Sequence, residues 1–205
     1  MIVDHIGRRI IPVTVCLPVI PPRVGNGMLD RALRGIREQT LQPAAINCVL
    51  DTERQGAAAT REKALRAADT EWVAYLDDDD AWHPHHLETL WNLAEDRGAW
   101  YVWSWFDGNN PFPMHRGRQM NIDDPHHTTM GIMVKRELSL RAGFMPHPEA
   151  PPEWAGEDWW HELRCIELLR EEFGDEVTTT LFAGSPEVTW TYYVHGSNTS
   201  GRPRW

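Results

Sequence analysis

The 205-residue sequence has no apolar run near the roughly 18 residues that a membrane-spanning helix needs. Its N-terminus lacks a charged lead-in followed by an apolar stretch, so no secretory signal is expected. Cysteine is scarce and odd in number. Cys16, Cys48 and Cys165 are widely spaced among apolar neighbours, which predicts buried free thiols in a reducing compartment, with the cytoplasm as the expected location. Basic residues are outnumbered, with 20 Lys and Arg against 30 Asp and Glu and a formal net charge of −10. That balance argues against broad electrostatic binding to nucleic acid or an anionic membrane, although a local basic groove around Arg116, Arg118, Arg136 and Arg141 stays open. The pairs His85/His86 and His126/His127 have no companion cysteine and no His-Glu-x-x-His spacing, so neither makes a zinc site. There is no low-complexity tract, and the length suits one globular domain with a real core.

Tryptophan, by contrast, is abundant, with 11 residues. Most serve packing, but a Trp face also suits stacking on sugar or base rings. Short β-branched runs alternate with helical periodicity along the first half. Ile11 to Pro18, Ala45 to Leu50, Glu71 to Leu76 and Ala99 to Phe106 read as strands. Between them, residues 28–39, 57–68 and 84–97 carry helix spacing, with Pro84 at an allowed first-turn position. This alternation predicts an α/β domain, doubly wound around a mostly parallel sheet. Residues 107–125 form a long polar loop, followed by a strand over 128–134, a helix opened by Asp158, and strands over 178–183 and 187–194. His85 and His86 are expected on the solvated face of the third helix, and His126 and His127 at the end of the long loop.

In such a sheet, ligands bind outside the carboxyl ends of the strands, and three loops leave those ends here: 18–27, 51–55 and 77–80. The last is Asp77-Asp78-Asp79-Asp80, four like charges in sequence, which must either sit in solvent or meet a cation. Paired carboxylates at Asp77 and Asp79, or at Asp78 and Asp79, suit a hard dication such as magnesium or manganese that also bridges phosphate oxygens.

The stretch GAAATREKALRAADTEWVAYLDDDDAWHPHHLETL, residues 56–90, resembles the nucleotide-sugar half of the inverting family-two glycosyltransferases of the GT-A fold. VTVCLPVIPPR is similar to that family's first strand and base-binding loop, and INCVLD to its second strand. MVKRELSLRAGFMP, GEDWWHELR and YYVHGSNTS follow in the family's order towards the acceptor side. The resemblance implies a single GT-A domain whose residues 1–106 bind the nucleotide sugar and whose residues 107–205 bind the acceptor and carry the base. It further implies Asp79 and His195 as ligands of Mn2+ or Mg2+, with Asp78 at the ribose or metal-bound waters and Asp77 supporting the loop. Pro18, Val19, Asp51 and Arg61 would contact the nucleotide sugar, Asp51 through the base of a uridine-type donor and Arg61 near its diphosphate. Ser197 and Ser200 would contact phosphate, and Asp158 would be the general base. Glu157, Trp154, Trp160, His126 and His127 would face the acceptor. The sequence departs from the family in three places: VIPPRVGN after the first strand, Glu62 in place of an Asn, and TERQ after Asp51.

Inverting transfer independently requires one carboxylate to take the acceptor proton while the opposite side holds the leaving diphosphate. The residues leave other readings open. Asp158 also suits a helix N-cap, and His195 an ordinary surface histidine. A binding module of the same fold without catalysis fits the irregular loops. A metal hydrolase would also use an acidic cluster, whereas a nucleotidyltransferase needs a more basic first loop than PVIPPRVGNG supplies.

Overall fold

The computed structural model describes residues 2–108, 122, 131–145 and 156–196. Its first strand, β1 (Ile10–Val19), is buried over most of its length because apolar side chains point to both faces. Val13, Val15 and Leu17 join one core, with Ala32 and Ile36 of α1 (Met28–Arg37) and Leu87, Leu90 and Trp91 of α3 (His86–Arg97). Cys16 points the other way, into a second core with Leu65 of α2 (Ala57–Arg66), Leu138 of α4 (Arg136–Ala142) and Ile166 of α5 (Glu157–Phe173). The remaining strands are β2 (Gln42–Leu50), β3 (Trp72–Tyr75), β4 (Ala81–Trp82), β5 (Tyr101–Gly108), β6 (Ile132–Lys135) and β7 (Phe182–Tyr192), and α6 (Asp175–Leu181) precedes the last.

These seven strands form one sheet in the order β2-β1-β3-β6-β5-β7-β4. β2, β1, β3, β5 and β7 run in one sense, and β6 and β4 oppose them. The expected doubly wound, mostly parallel α/β sheet is therefore present, with one antiparallel strand set into its middle. Among the described residues no helix is long and apolar enough to cross a membrane.

Several local expectations are corrected. Residues 178–181, read as strand from their threonines, finish α6. Asp175 and Glu176 open that helix in its first turn, and Thr178 turns its hydroxyl back to the Gly174 carbonyl at 2.7 Å. β7 then runs unbroken from Phe182. Its pairing with β5 shifts register between Gly184 and Val188, which accommodates Pro186 in an irregularity where no ladder donor is needed. β4 is two residues long and too short to announce itself in the sequence. Cys16 and Cys165 are buried as expected, but Cys48 is exposed, because β2 is an edge strand whose burial alternates along its length. His86 is fully buried instead of solvated. It stacks on Trp82 with centroids 4.4 Å apart, and its Nδ1 lies 2.6 Å from the Thr189 hydroxyl.

Candidate functional site

The acidic run leaves β3 as a tight turn, closed by the Asp80 N–H donating to the Asp77 carbonyl at 3.3 Å. It stands at the carboxyl end of the strand because β3 is pinned on both sides, by β1 and β6. The turn does not project into solvent. Asp78, Asp79 and Asp80 are all buried, Asp80 completely.

Asp78 and Asp79 share Arg23, and each carboxylate has further contacts of its own. Asp78 accepts from the Ile20 N–H at 2.8 Å and from Nη1 of Arg23, so it ties the turn to the loop after β1. Burial pushes its pKa up to about 6 despite Arg23. Asp79 Oδ2 meets Nη2 of Arg23 at 2.7 Å and Nε2 of His195 at 3.0 Å. Burial, and then the Asp77 charge, raise the Asp79 pKa against the pull of Arg23 and the His195 contact. Asp80 accepts from the Tyr193 N–H at 2.9 Å through Oδ1, which holds the chain after β7 over the turn. Its Oδ2 is buried with no hydrogen-bond partner among the described residues, and burial with the Asp79 and Asp77 charges drives its pKa well above the usual range.

Asp77, Asp79 and Asp80 can each direct one oxygen into a common space, with those atoms within 4.8 Å of one another. An orphaned buried carboxylate oxygen inside such a group is costly without a cation, so this donor set fits a hard dication. The sequence reading singled out Asp79, put Asp78 at the ribose or metal-bound waters and ranked Asp80 last, whereas the three carboxylates that come together are Asp77, Asp79 and Asp80. Asp78 turns away to Ile20 and Arg23. His195, expected as a metal ligand, lies with Nε2 3.0 Å from Asp79 Oδ2.

Arg61, expected near the diphosphate, is engaged by two carboxylates of the protein itself. Its buried guanidinium bridges carboxylates, with Nη2 on both oxygens of Asp77 at 2.7 and 2.9 Å and Nη1 on Glu157 at 2.7 Å. These two partners, with Asp158 behind them, raise its pKa against the cost of burial. Glu157 opens α5, so Arg61 fastens the first turn of that helix to the acidic turn. The helix N-cap is Gly156, in the left-handed region at φ 50°, and Asp158 is the second helical residue. Asp158 is therefore not the N-cap. Half-buried, it accepts from the Trp159 N–H at 2.8 Å, and burial followed by the Glu157 charge raises its pKa.

Asp51 accepts from the N–H groups of Gln55 and Gly56 at 2.9 and 2.8 Å, so both oxygens brace their own loop. Pro18 and Val19 are buried strand residues, and the Val19 carbonyl accepts from the Asp51 N–H at 2.8 Å. The half-buried Ile20 is the first residue of that loop to open. Trp160 is half-buried beside Asp158. Trp154, His126, His127, Ser197 and Ser200 lie outside the described residues.

Two arginines escaped sequence reasoning. Arg23 is the single basic residue of the PVIPPRVGNG loop, which was the one available signal. Arg31 of α1 donates to the Asp79 carbonyl and lies 3.8 Å over the Tyr193 ring, a contact between distant segments that no local pattern announces.

Comparison with known folds agrees with this layout. TarS of S. aureus in complex with UDP-GlcNAc superposes with a TM-score of 0.66 at 10% identity, covering 91% of this chain and 60% of that one. Glucosyl-3-phosphoglycerate synthase from Mycobacterium tuberculosis, with Mn2+, UDP and phosphoglyceric acid, gives 0.57 at 14% identity, covering 90% and 70%. The mannosyltransferase PcManGT from Pyrobaculum calidifontis, with GDP-Man and Mn2+, gives 0.59 at 19% identity, covering 92% and 58%. The chain thus spans about three fifths of the length of TarS 1-349. No curated protein sequence matches it. The family model described as glycosyl transferase family 2 matches residues 27–148, more than half of the chain, and the protein belongs to that family.

Proposed function

We propose that this protein transfers a glycosyl group, with inversion and with the help of Mn2+ or Mg2+, from a nucleoside-diphosphate sugar to a hydroxyl acceptor. The donor we favour is UDP-linked. The observation that carries the reading is the convergence of Asp77, Asp79 and Asp80 within 4.8 Å, joined through Arg61 to the Glu157–Asp158 turn. Solved structures that share the fold hold UDP-GlcNAc, UDP with Mn2+, and GDP-Man with Mn2+. Asp79, Asp80 and Asp77 would hold the dication, with His195 beside Asp79. A dication bound there would neutralise charge that develops on the leaving diphosphate.

The chain's own residues supply the rest. Asp158 takes the proton of the acceptor hydroxyl as that oxygen attacks the anomeric carbon. Its raised pKa makes it a better base than an ordinary surface carboxylate, at the cost of a narrower acid range in which it stays ionised. Arg61 holds Glu157, and with it the turn bearing Asp158, at a fixed distance from the acidic turn. Pro18, Val19, Asp51 and Asp78 shape the nucleotide side, and Ser197 and Ser200 are assigned to phosphate. Trp154, Trp160, His126 and His127 are assigned to the acceptor, so residues 1–106 serve the donor and 107–205 the acceptor. The buried free thiols of Cys16 and Cys165 support a reducing, cytoplasmic setting.

Titration calorimetry with UDP and Mn2+ tests the assignment. Asp79→Ala is expected to abolish metal-dependent nucleotide binding, while Asp158→Asn keeps binding and loses transfer. Unchanged binding in Asp79→Ala would sink the metal assignment. Slow release of sugar from a donor without any acceptor would separate an enzyme from a binding module.

A further inference from the structure

We infer that Arg23 is a tethered counter-cation that competes with the dication for Asp79, so that metal binding depends on the nucleotide. This inference rests on the reading above. Arg23 ends a short 3-10 turn, Pro21–Arg23, in which two prolines fix the backbone and aim the side chain at the acidic turn. Its guanidinium is buried and spans two adjacent carboxylates, Nη1 on Asp78 Oδ1 and Nη2 on Asp79 Oδ2 at 2.7 Å.

Asp79 Oδ2 also meets His195 at 3.0 Å, so both in-plane lone pairs of that oxygen are engaged. Asp79 belongs equally to the three-carboxylate group that fits a dication. A dication on Asp79 would face a full positive charge on the same carboxylate, inside a buried site where screening is weak. Nη2 of Arg23 must then let go, while Nη1 can keep its hold on Asp78. The displaced Nη2 can turn to a diphosphate, whose oxygens match a guanidinium fork. Metal and diphosphate should therefore bind together far better than metal alone, with reciprocal coupling.

Mn2+ binding can be followed by electron paramagnetic resonance of the free ion, for wild type, Arg23→Gln and Arg23→Lys, each with and without UDP. Without UDP, Arg23→Gln is expected to bind Mn2+ about tenfold more tightly than wild type, and UDP should tighten Mn2+ binding less in the variant than in wild type. Arg23→Lys, whose ammonium cannot span both carboxylates, should fall between them and serves if Arg23→Gln does not fold. Unchanged or weaker Mn2+ binding by both variants, with wild type still binding Mn2+ and UDP together, overturns the competition alone. Failure of wild type to bind Mn2+ under either condition overturns the competition and the metal reading together.

Discussion

On the proposed reading, Asp80 is a buried residue kept for chemistry against stability. Its Oδ2 has no hydrogen-bond partner among the described residues, and Asp77 and Asp79 direct their carboxylates into the same space. Asp80→Asn would remove a carboxyl group whose ionisation is opposed by burial and by the Asp79 and Asp77 charges, and would place an amide donor beside Asp77 and Asp79. It is expected to raise metal-free stability by about 1–3 kcal/mol while weakening Mn2+ binding at least about tenfold. Thermal denaturation in chelator and Mn2+ titration read the two effects separately. His86 acts in the opposite sense. Burial lowers its pKa to about 3 from the model-peptide 6.5, so the folded protein keeps it neutral while the unfolded chain protonates it. Stability contributed by His86 is therefore full above pH 6.5 and lost as pH falls towards 3, at roughly 1.4 kcal/mol per pH unit. Asp78, raised to about 6 from 3.8, binds its proton earlier when folded and adds stability as pH falls between those values. Urea titrations of wild type and His86→Gln between about pH 4 and 7 should show a shallower acid decline in the variant, because only the His86 contribution differs. The sequence made the acidic run visible, since four aspartates after an apolar strand are hard to miss. It could not rank Asp80 above Asp78, because that order depends on which carboxylates Ile20 and Arg23 draw away.

Arg61 and Gly184 join elements whose sequences carry no sign of each other. The α2 residue Arg61 links the turn after β3 to the first turn of α5, 96 residues later in the chain. Arg61→Met leaves Asp77 and Glu157 without their shared cation and is expected to cost about 3–5 kcal/mol, measured by urea denaturation. Transfer rate should fall further than donor affinity, since the first turn of α5 loses its tether. Gly184 of β7 lies opposite Trp103 of β5, and a Cβ there would stand 2.2 Å from the indole. Gly184→Ala is expected to lower stability by about 1–3 kcal/mol through overpacking, read as a lower melting temperature. The strands of the first half were legible because their apolar runs are short, β-branched and separated by helical periodicity. α6 was not, because threonines favour strands in isolation and only Asp175, Glu176 and the Gly174 carbonyl turn them into a helix.

The division of work proposed at residue 106 is not followed by the sheet. β6 comes from the second half, yet it lies between β3 and β5 and pairs with both. A fragment of residues 1–106 is therefore expected to lack a cooperative unfolding transition by circular dichroism, whereas the whole chain should show one. Sequence order alone suggests two consecutive halves, because alternation reveals which segments are strands but not that a later one enters the middle of the sheet. The same interleaving bears on how the chain is made. As the protein leaves the ribosome, the edges of β3 and β5 that face β6 stay open until residues 132–135 have emerged, so the nascent first half must wait with these strand edges unpaired. Those edges mark the window in which a holding chaperone would bind.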